Sequence, residues 1–275
     1  MQLLLFTKLF LGKSIEEIAE TGADLGFDGI DLLVRNGHQV SPDDPAGIRP
    51  AVERLKAAGL SVPMATTDIT DPAGQDTEAI FAALAEAGIA TARLGYWKYD
   101  PATGYRAIFD RARRDLDALA EIAGKTGIAL TIQLHGDTIH GSGAQTAALL
   151  AGHDGSVLGA YADPGNQTVQ DGREDWRFTL DILGPWLTTL GVKNGGWFPA
   201  GLARTGQREW HSDWLGLAEG MVPWDRIIRQ LVATDFDGIL TLHSHYEVPY
   251  EQVIDQTRSD LHYVRRLIAE GGAQA

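Results

Sequence analysis

The chain has 275 residues, with 37 acidic side chains against 23 basic ones for a formal net charge of −14, and no cysteine. The missing thiols exclude disulfide frameworks, cysteine-ligated zinc and thiol nucleophiles, and the acidic surplus argues against nucleic acid, whose binding rests on Lys and Arg neutralising phosphates. No apolar run reaches the roughly 18 residues of a membrane span and the opening residues 1–8 are too short for a signal-peptide core, so a cytoplasmic protein without membrane or nucleic-acid partners is expected.

From the N terminus onward, short apolar runs alternate with segments of helical periodicity. Runs at 2–6, 28–33, 61–65, 91–94, 129–134, 157–162, 187–192 and 238–243 predict strands. Amphipathic stretches at 14–25, 47–58, 75–87, 105–126, 144–151, 173–183, 223–234 and 250–270 predict helices. Ser14-Ile15-Glu16-Glu17 has the form of a capping box, and Gly59, Gly88 and Gly127 stand where helices should end. Strand starts lie 26 to 38 residues apart, except for the last interval, from 187 to 238. These units predict an α/β fold, a single (β/α)8 barrel over 1–275 with an inserted rim loop at about 194–222. An open doubly wound sheet usually carries a Gly-rich nucleotide turn, and neither G-x-G-x-x-G nor a P-loop pattern is present.

Along a barrel strand, side chains point alternately inward and toward the helices, and the helix-facing set must be apolar. In 129–135 the apolar set is Leu130, Ile132 and Leu134, which turns Thr131, Gln133 and His135 inward. The same rule turns inward Gly159, Tyr161 and Asp163, then Gly191 and Lys193, then Thr241, His243 and His245, together with Asp31 and Arg93. Six strands therefore bring Asp31, Arg93, Gln133, Asp163, Lys193 or His243 to the C-terminal mouth, where barrel enzymes keep their chemistry. Buried charges are costly unless they pair or bind something. A purely structural account is also open, in which Asp31–Arg93 and Asp163–Lys193 are ion pairs plugging the barrel top.

Several of these segments resemble the xylose-isomerase-like TIM barrels, which include sugar and sugar-phosphate isomerases and epimerases. Gly26-Phe27-Asp28-Gly29-Ile30-Asp31-Leu32 is similar to their second-strand motif, and Ile132-Gln133-Leu134-His135 to their fifth-strand Ile-Glu-x-His. Asp163-Pro164-Gly165-Asn166 resembles the sixth-strand Asp-x-Gly-His/Asn turn, and Val192-Lys193-Asn194 the seventh-strand His-x-Lys-Asp. The resemblance implies two Glu, one Asp and one His holding a divalent metal. Here the fifth-strand Glu is Gln133, the Asp is Asp163, the His position is Gly191 and the eighth-strand Glu is His243. Gln133, Asp163 and His243 are left as candidate ligands. Mn, Mg or Zn is expected to bind more weakly than in the family, because Mg and Mn prefer carboxylates and Lys193 adds repulsion. Asp163, His135, His243 and His245 together would offer a nitrogen-rich set suited to zinc. Endonuclease IV shares this barrel, but its crowded zinc ligands and basic groove have no counterpart here.

The favoured reading is an isomerase, an epimerase or a related lyase acting on a sugar-like hydroxy-carbonyl compound by proton transfer. Asp163, Lys193 and His243 would be catalytic; Arg93, Gln133, His135, His245, Trp97, Trp197 and Arg204 would bind substrate. The competing reading is a sugar-binding or partner subunit that lost the chemistry. For Trp197, Phe198 and Trp210 in the rim loop, contact with a sugar ring competes with burial against the rim or a second subunit of a homo-oligomer. Asp163→Ala and His243→Ala are expected to abolish activity and leave the fold intact.

Overall fold

The computed structural model describes residues 1–74, 76–170 and 174–272. The expected barrel strands form as β1 (Gln2–Phe6), β2 (Gly29–Leu33), β3 (Ser61–Thr66), β4 (Thr91–Arg93), β5 (Ala129–Gln133), β6 (Leu158–Ala162), β7 (Leu187–Val192) and, after a hairpin, β10 (Ile239–Leu242). They pair in parallel in chain order, and β10 closes the barrel on β1. Around them lie α1 (Ile15–Leu25), α2 (Ile48–Ala57), α3 (Thr77–Glu86), α4 (Tyr105–Thr126), α5 (Gly143–Leu150), α6 (Pro164–Val169), α7 (Trp176–Leu183), α8 (Trp224–Ala233) and α9 (Tyr250–Gly272). The helix starts expected at Gln75 and Arg173 lie outside the described residues.

Local chemistry sets these boundaries. Ser14 accepts from the Glu17 amide while Glu17 accepts from the Ser14 amide, the reciprocal bonds that start α1. Gly127 ends α4 at φ 77°, a left-handed conformation that side chains disfavour.

The alternation of side chains divides the apolar residues into two separate cores. Leu3, Leu5, Ile30, Leu32, Leu130, Ile132, Leu190 and Leu240 pack outward beneath the helices. Leu4, Met64 and Tyr161, with Ile239, fill the barrel interior. Each fully buried aliphatic side chain contributes about 1.5–3 kcal/mol; a one-residue slip of register would exchange the two sets.

Two segments differ from the sequence expectation. The rim insertion is an antiparallel hairpin, β8 (Asn194–Leu202) with β9 (Arg208–Leu215), rather than a loop. It begins at the residue after Lys193, so the end of β7 runs directly into it. Helix α6 was not signalled by periodicity because it is a six-residue turn. Asp163 caps it, its Oδ1 accepting from the Asn166 amide at 2.8 Å.

The expected Asp31–Arg93 pair does not form. Asp31 instead accepts hydrogen bonds from Thr66 Oγ1 at 2.9 Å and Thr241 Oγ1 at 3.1 Å inside the barrel. Burial pushes its carboxyl up to about 6, while the two hydroxyls and the field of Arg93 oppose the rise. A carboxyl raised in the folded state adds stability that is present below about pH 4 and lost as pH rises through about 6. Asp31→Asn keeps a neutral acceptor there. The variant should be more stable than wild type by about 2–3 kcal/mol at pH 8 and nearly equal at pH 4 in denaturant unfolding. The same offset at both pH values would refute this account of Asp31.

Candidate active site

At the C-terminal mouth, the ends of β5, β6 and β7 deliver Gln133, Asp163 and Lys193 into one buried network. Lys193 Nζ lies 3.1 Å from Asp163 Oδ2, with both residues at most 3 % exposed. Gln133 Nε2 donates to the same Oδ2 at 2.7 Å, and Gln133 Oε1 accepts from the Tyr96 hydroxyl at 2.8 Å. A carboxylate only accepts, so these bonds fix the orientation of the Gln133 amide. Burial pulls the Lys193 pKa down, and Asp163 opposes that shift as its counter-ion. The Trp214 ring of β9 lies over the ammonium at 4.9 Å, so the hairpin brings an aromatic face to Lys193.

Two glycines make room for this pair. A Cβ at Gly191 would come within 2.6 Å of Asp163 Oδ2, and one at Gly165 within 2.4 Å of Lys193 Cγ. The position where the resembling family carries a ligating His is therefore filled by the Asp163 carboxylate itself.

His243 lies beside the pair, stacked on Phe6 at 4.5 Å between ring centroids. Its Nε2 meets the Tyr161 hydroxyl at 2.6 Å. Burial pushes the Tyr161 pKa well up, so that hydroxyl keeps its proton and donates. His243 is held neutral by burial and then by the repulsion of Lys193 and His245, which together lower its pKa well below the usual value. With Nε2 accepting, the assigned tautomer carries its proton on Nδ1, a buried atom without a hydrogen-bond partner.

His135 differs. Its Nδ1 donates to the Gly136 carbonyl at 2.8 Å, which leaves the lone pair on Nε2, where the Gln170 side-chain amide donates at a long 3.4 Å. Burial is the main cause lowering its pKa, so the ring is unprotonated near neutrality. It packs on Tyr96 at 4.4 Å and is only half-buried. His245 Nε2 is buried without a hydrogen-bond partner, its ring 5.7 Å from Trp214.

Arg93 occupies the β4 side of the mouth. One Nη2–H donates to the Thr67 carbonyl at 3.1 Å, and the same nitrogen is 4.0 Å from Asp68. The guanidinium lies over the Tyr96 ring at 4.6 Å. Its Nε and Nη1 are buried without hydrogen-bond partners.

The remaining sequence candidates fall elsewhere. Trp97 belongs to the helix-side core, where its Nε1 donates to Asp115 of α4 at 3.0 Å; its neighbour Tyr96 reaches the site instead. Alternation fails as a guide here because the chain has already left the strand. Trp197 donates from Nε1 to the Thr168 carbonyl and lines a separate cavity of about 550 Å³ with Trp210 and Met221. Arg204 is exposed at the hairpin turn. Tyr161, Trp214, Lys8 and Phe6 were not singled out as site residues. Inward parity placed Tyr161, but the positions of Trp214 and Lys8 depend on how the hairpin and the segment after β1 pack. Two cavities flank the Lys193–Asp163 pair rather than contain it. One, of about 530 Å³, is lined by Arg35 but also by Asp43, Asp68, Asp71 and Asp76. The other, of about 580 Å³, is bordered by Trp214 and His245.

The chain belongs to the xylose isomerase-like TIM barrel family, whose model matches residues 19–267. Solved structures agree in fold. An L-ribulose 3-epimerase aligns with TM-score 0.74 at 14% identity, covering 99% of this chain and 96% of the other. D-psicose 3-epimerase with D-tagatose, from Clostridium cellulolyticum, gives 0.71 at 10% identity, covering 98% and 99%. The probable 3-DHS dehydratase involved in petrobactin synthesis in Bacillus anthracis gives 0.73 at 16% identity, covering 96% and 99%. No curated protein matches the chain in sequence.

The family's divalent metal does not fit these residues. Asp163 already accepts from an ammonium, an amide and a backbone N–H. Gln133 turns its NH2 toward that carboxylate, and His243 Nε2 is taken by Tyr161. Among the described residues, no group of three or more His, Asp or Glu is placed to hold a metal ion. A cation at Asp163 would have to displace the Lys193 ammonium at 3.1 Å. The sequence expectation for Asp163→Ala also changes, because removing one partner of a buried ion pair costs about 3–5 kcal/mol. Asp163→Ala should lower unfolding stability by that amount, and adding Lys193→Met should restore most of it. A single variant as stable as wild type would contradict the buried pair. In thermal melts, Mn2+, Mg2+ or Zn2+ at about 1 mM should give no saturable stabilisation, whereas a bound metal would raise the midpoint with concentration.

Proposed function

We propose that this chain isomerises or epimerises a sugar or related polyhydroxy carbonyl compound by metal-independent proton transfer at the barrel mouth. The carrying observation is the buried Lys193 ammonium, fixed by Asp163 and bordered by unpartnered N–H groups of Arg93 and His243. Family membership and the epimerase activities of several structural neighbours support the reaction class.

Removing a proton from carbon next to a carbonyl leaves an enediolate, so the site must supply a base and stabilise the oxygen. Asp163 is engaged with three donors, which makes it a positioning group for Lys193 rather than the base. His135 Nε2 carries the lone pair of a neutral ring, held only by a long 3.4 Å bond from the Gln170 side-chain amide, and accepts the proton when substrate displaces that contact. Lys193 Nζ and the open Arg93 N–H groups face the developing oxyanion, and His243 Nδ1–H adds a neutral donor. His135 then returns the proton to the same or the adjacent carbon, so atoms and charge balance with no co-reactant. Trp214 and Tyr96 exclude water around the intermediate. The substrate is a small soluble carbohydrate-like molecule. Among the described residues no helix is long and apolar enough to cross a membrane, and cytoplasmic placement is part of this proposal.

The test is deuterium incorporation from D2O, followed by NMR, with D-fructose, D-tagatose, L-ribulose and 2-keto-D-gluconate. Exchange at carbon next to the carbonyl is expected in at least one. It should fall by about 10²–10⁴-fold in His135→Ala and by about 10²–10³-fold in Arg93→Met, with native circular dichroism retained. Saturable binding without exchange in any substrate would replace this reading with the sugar-binding subunit.

A further inference from the structure

The chain carries a net charge of −14, yet its barrel mouth is cationic. Lys8 follows β1, Arg35 follows β2, Arg93 ends β4 and Lys193 follows β7. Against these four cations stand Asp163, which is spent on Lys193, Asp68, whose Oδ1 is shared by Arg35 and Arg93, and the deeper Asp31, which bonds two threonines and feels Arg93 only through its field. Asp68 is itself half exposed to solvent, so it is a weak counter-ion for a guanidinium that is only 2 % exposed. Buried Arg93 therefore has one distant, shared carboxylate and two unpartnered nitrogens, and Arg35 Nε is a third buried donor without a partner. Lys8 makes no hydrogen bond or ion pair among the described residues. Burial of its ammonium and then the repulsion of Arg35, Lys193 and Arg93 lower its pKa, although its side chain as a whole is exposed.

Buried charge of one sign without a full counter-charge is expensive, and unsatisfied buried donors in a native fold mark a missing partner. Water can satisfy the hydrogen bonds but not the charge. We propose that the substrate carries an anionic group, a carboxylate or a phosphate, which enters the mouth as the counter-ion of Arg93 and Lys8. This deepens the isomerase or epimerase reading, on which it rests, by naming the substrate class. The planar Arg93 fork suits paired oxygens, and Lys8 acts as a point charge at the rim. The neighbouring cavity lined by Asp43, Asp71 and Asp76 repels such a group, and the Arg35–Asp68 pair stands at the boundary between the two regions.

Calorimetric titration of the full chain tests this with three probes: neutral D-fructose, D-fructose 6-phosphate and 2-keto-D-gluconate. One or both anionic probes should bind at least ten-fold tighter than D-fructose and lose affinity as NaCl is raised from about 50 to 500 mM. Preference between the two identifies phosphate or carboxylate. Lys8→Met, a change at an exposed side chain, should weaken the anionic probe several-fold more than it weakens D-fructose; Arg93→Met should weaken the anionic probe at least ten-fold. Equal or tighter binding of D-fructose, or anion binding indifferent to Lys8→Met, overturns the proposal. Deuterium exchange with neutral sugars alone would sink this inference and spare the reaction, whereas tight anion binding without exchange would do the reverse.

Discussion

The buried pair of Lys193 and Asp163 is the constraint around which the mouth of the barrel is arranged. A lysine ammonium with almost no exposure persists only beside a fixed counter-charge, and each surrounding feature serves to fix that charge. The α6 turn is capped by Asp163, so the backbone itself aims the carboxylate. Gln133 holds the second oxygen, Tyr96 holds Gln133, and Gly191 and Gly165 leave the space that the two side chains fill. Trp214 then packs over one side of the ammonium.

The same geometry explains why an ammonium rather than a divalent ion suits this mouth. A divalent ion needs several anionic oxygens, and this mouth keeps one carboxylate at the ligand positions. One positive charge of the side chain needs one negative partner, which Asp163 supplies. That difference sets what the site can do: an ammonium donates hydrogen bonds to an oxyanion but does not chelate two oxygens. Beside it, Arg93 and His243 are both left with open N–H groups.

The histidines divide by their hydrogen bonds rather than by their type. His140, fully buried, donates from Nδ1 to the Gln133 carbonyl and accepts from the Trp97 amide, and burial lowers its pKa to about 4. It ties the strand carrying Gln133 to the loop after β4 and has no atom left for chemistry. His243 is turned into a donor by Tyr161, and His135 into an acceptor by Gly136. Local donors and acceptors thus decide roles that the residue name leaves open.

The sequence alone determined the strand and helix order, the closed barrel and the inward parity of Asp31, Gln133, Tyr161, Asp163, Lys193 and His243. All of these follow from local periodicities of two and 3.6 residues, which a linear pattern records directly. Tertiary structure alone decided the partners. Asp31 settled on two threonines rather than Arg93, Trp97 yielded the site to Tyr96, and the rim insertion paired with itself and laid Trp214 over Lys193. These outcomes depend on distances between loops far apart in the chain and on which acceptor each buried proton finds, and neither quantity has a period that a sequence can display.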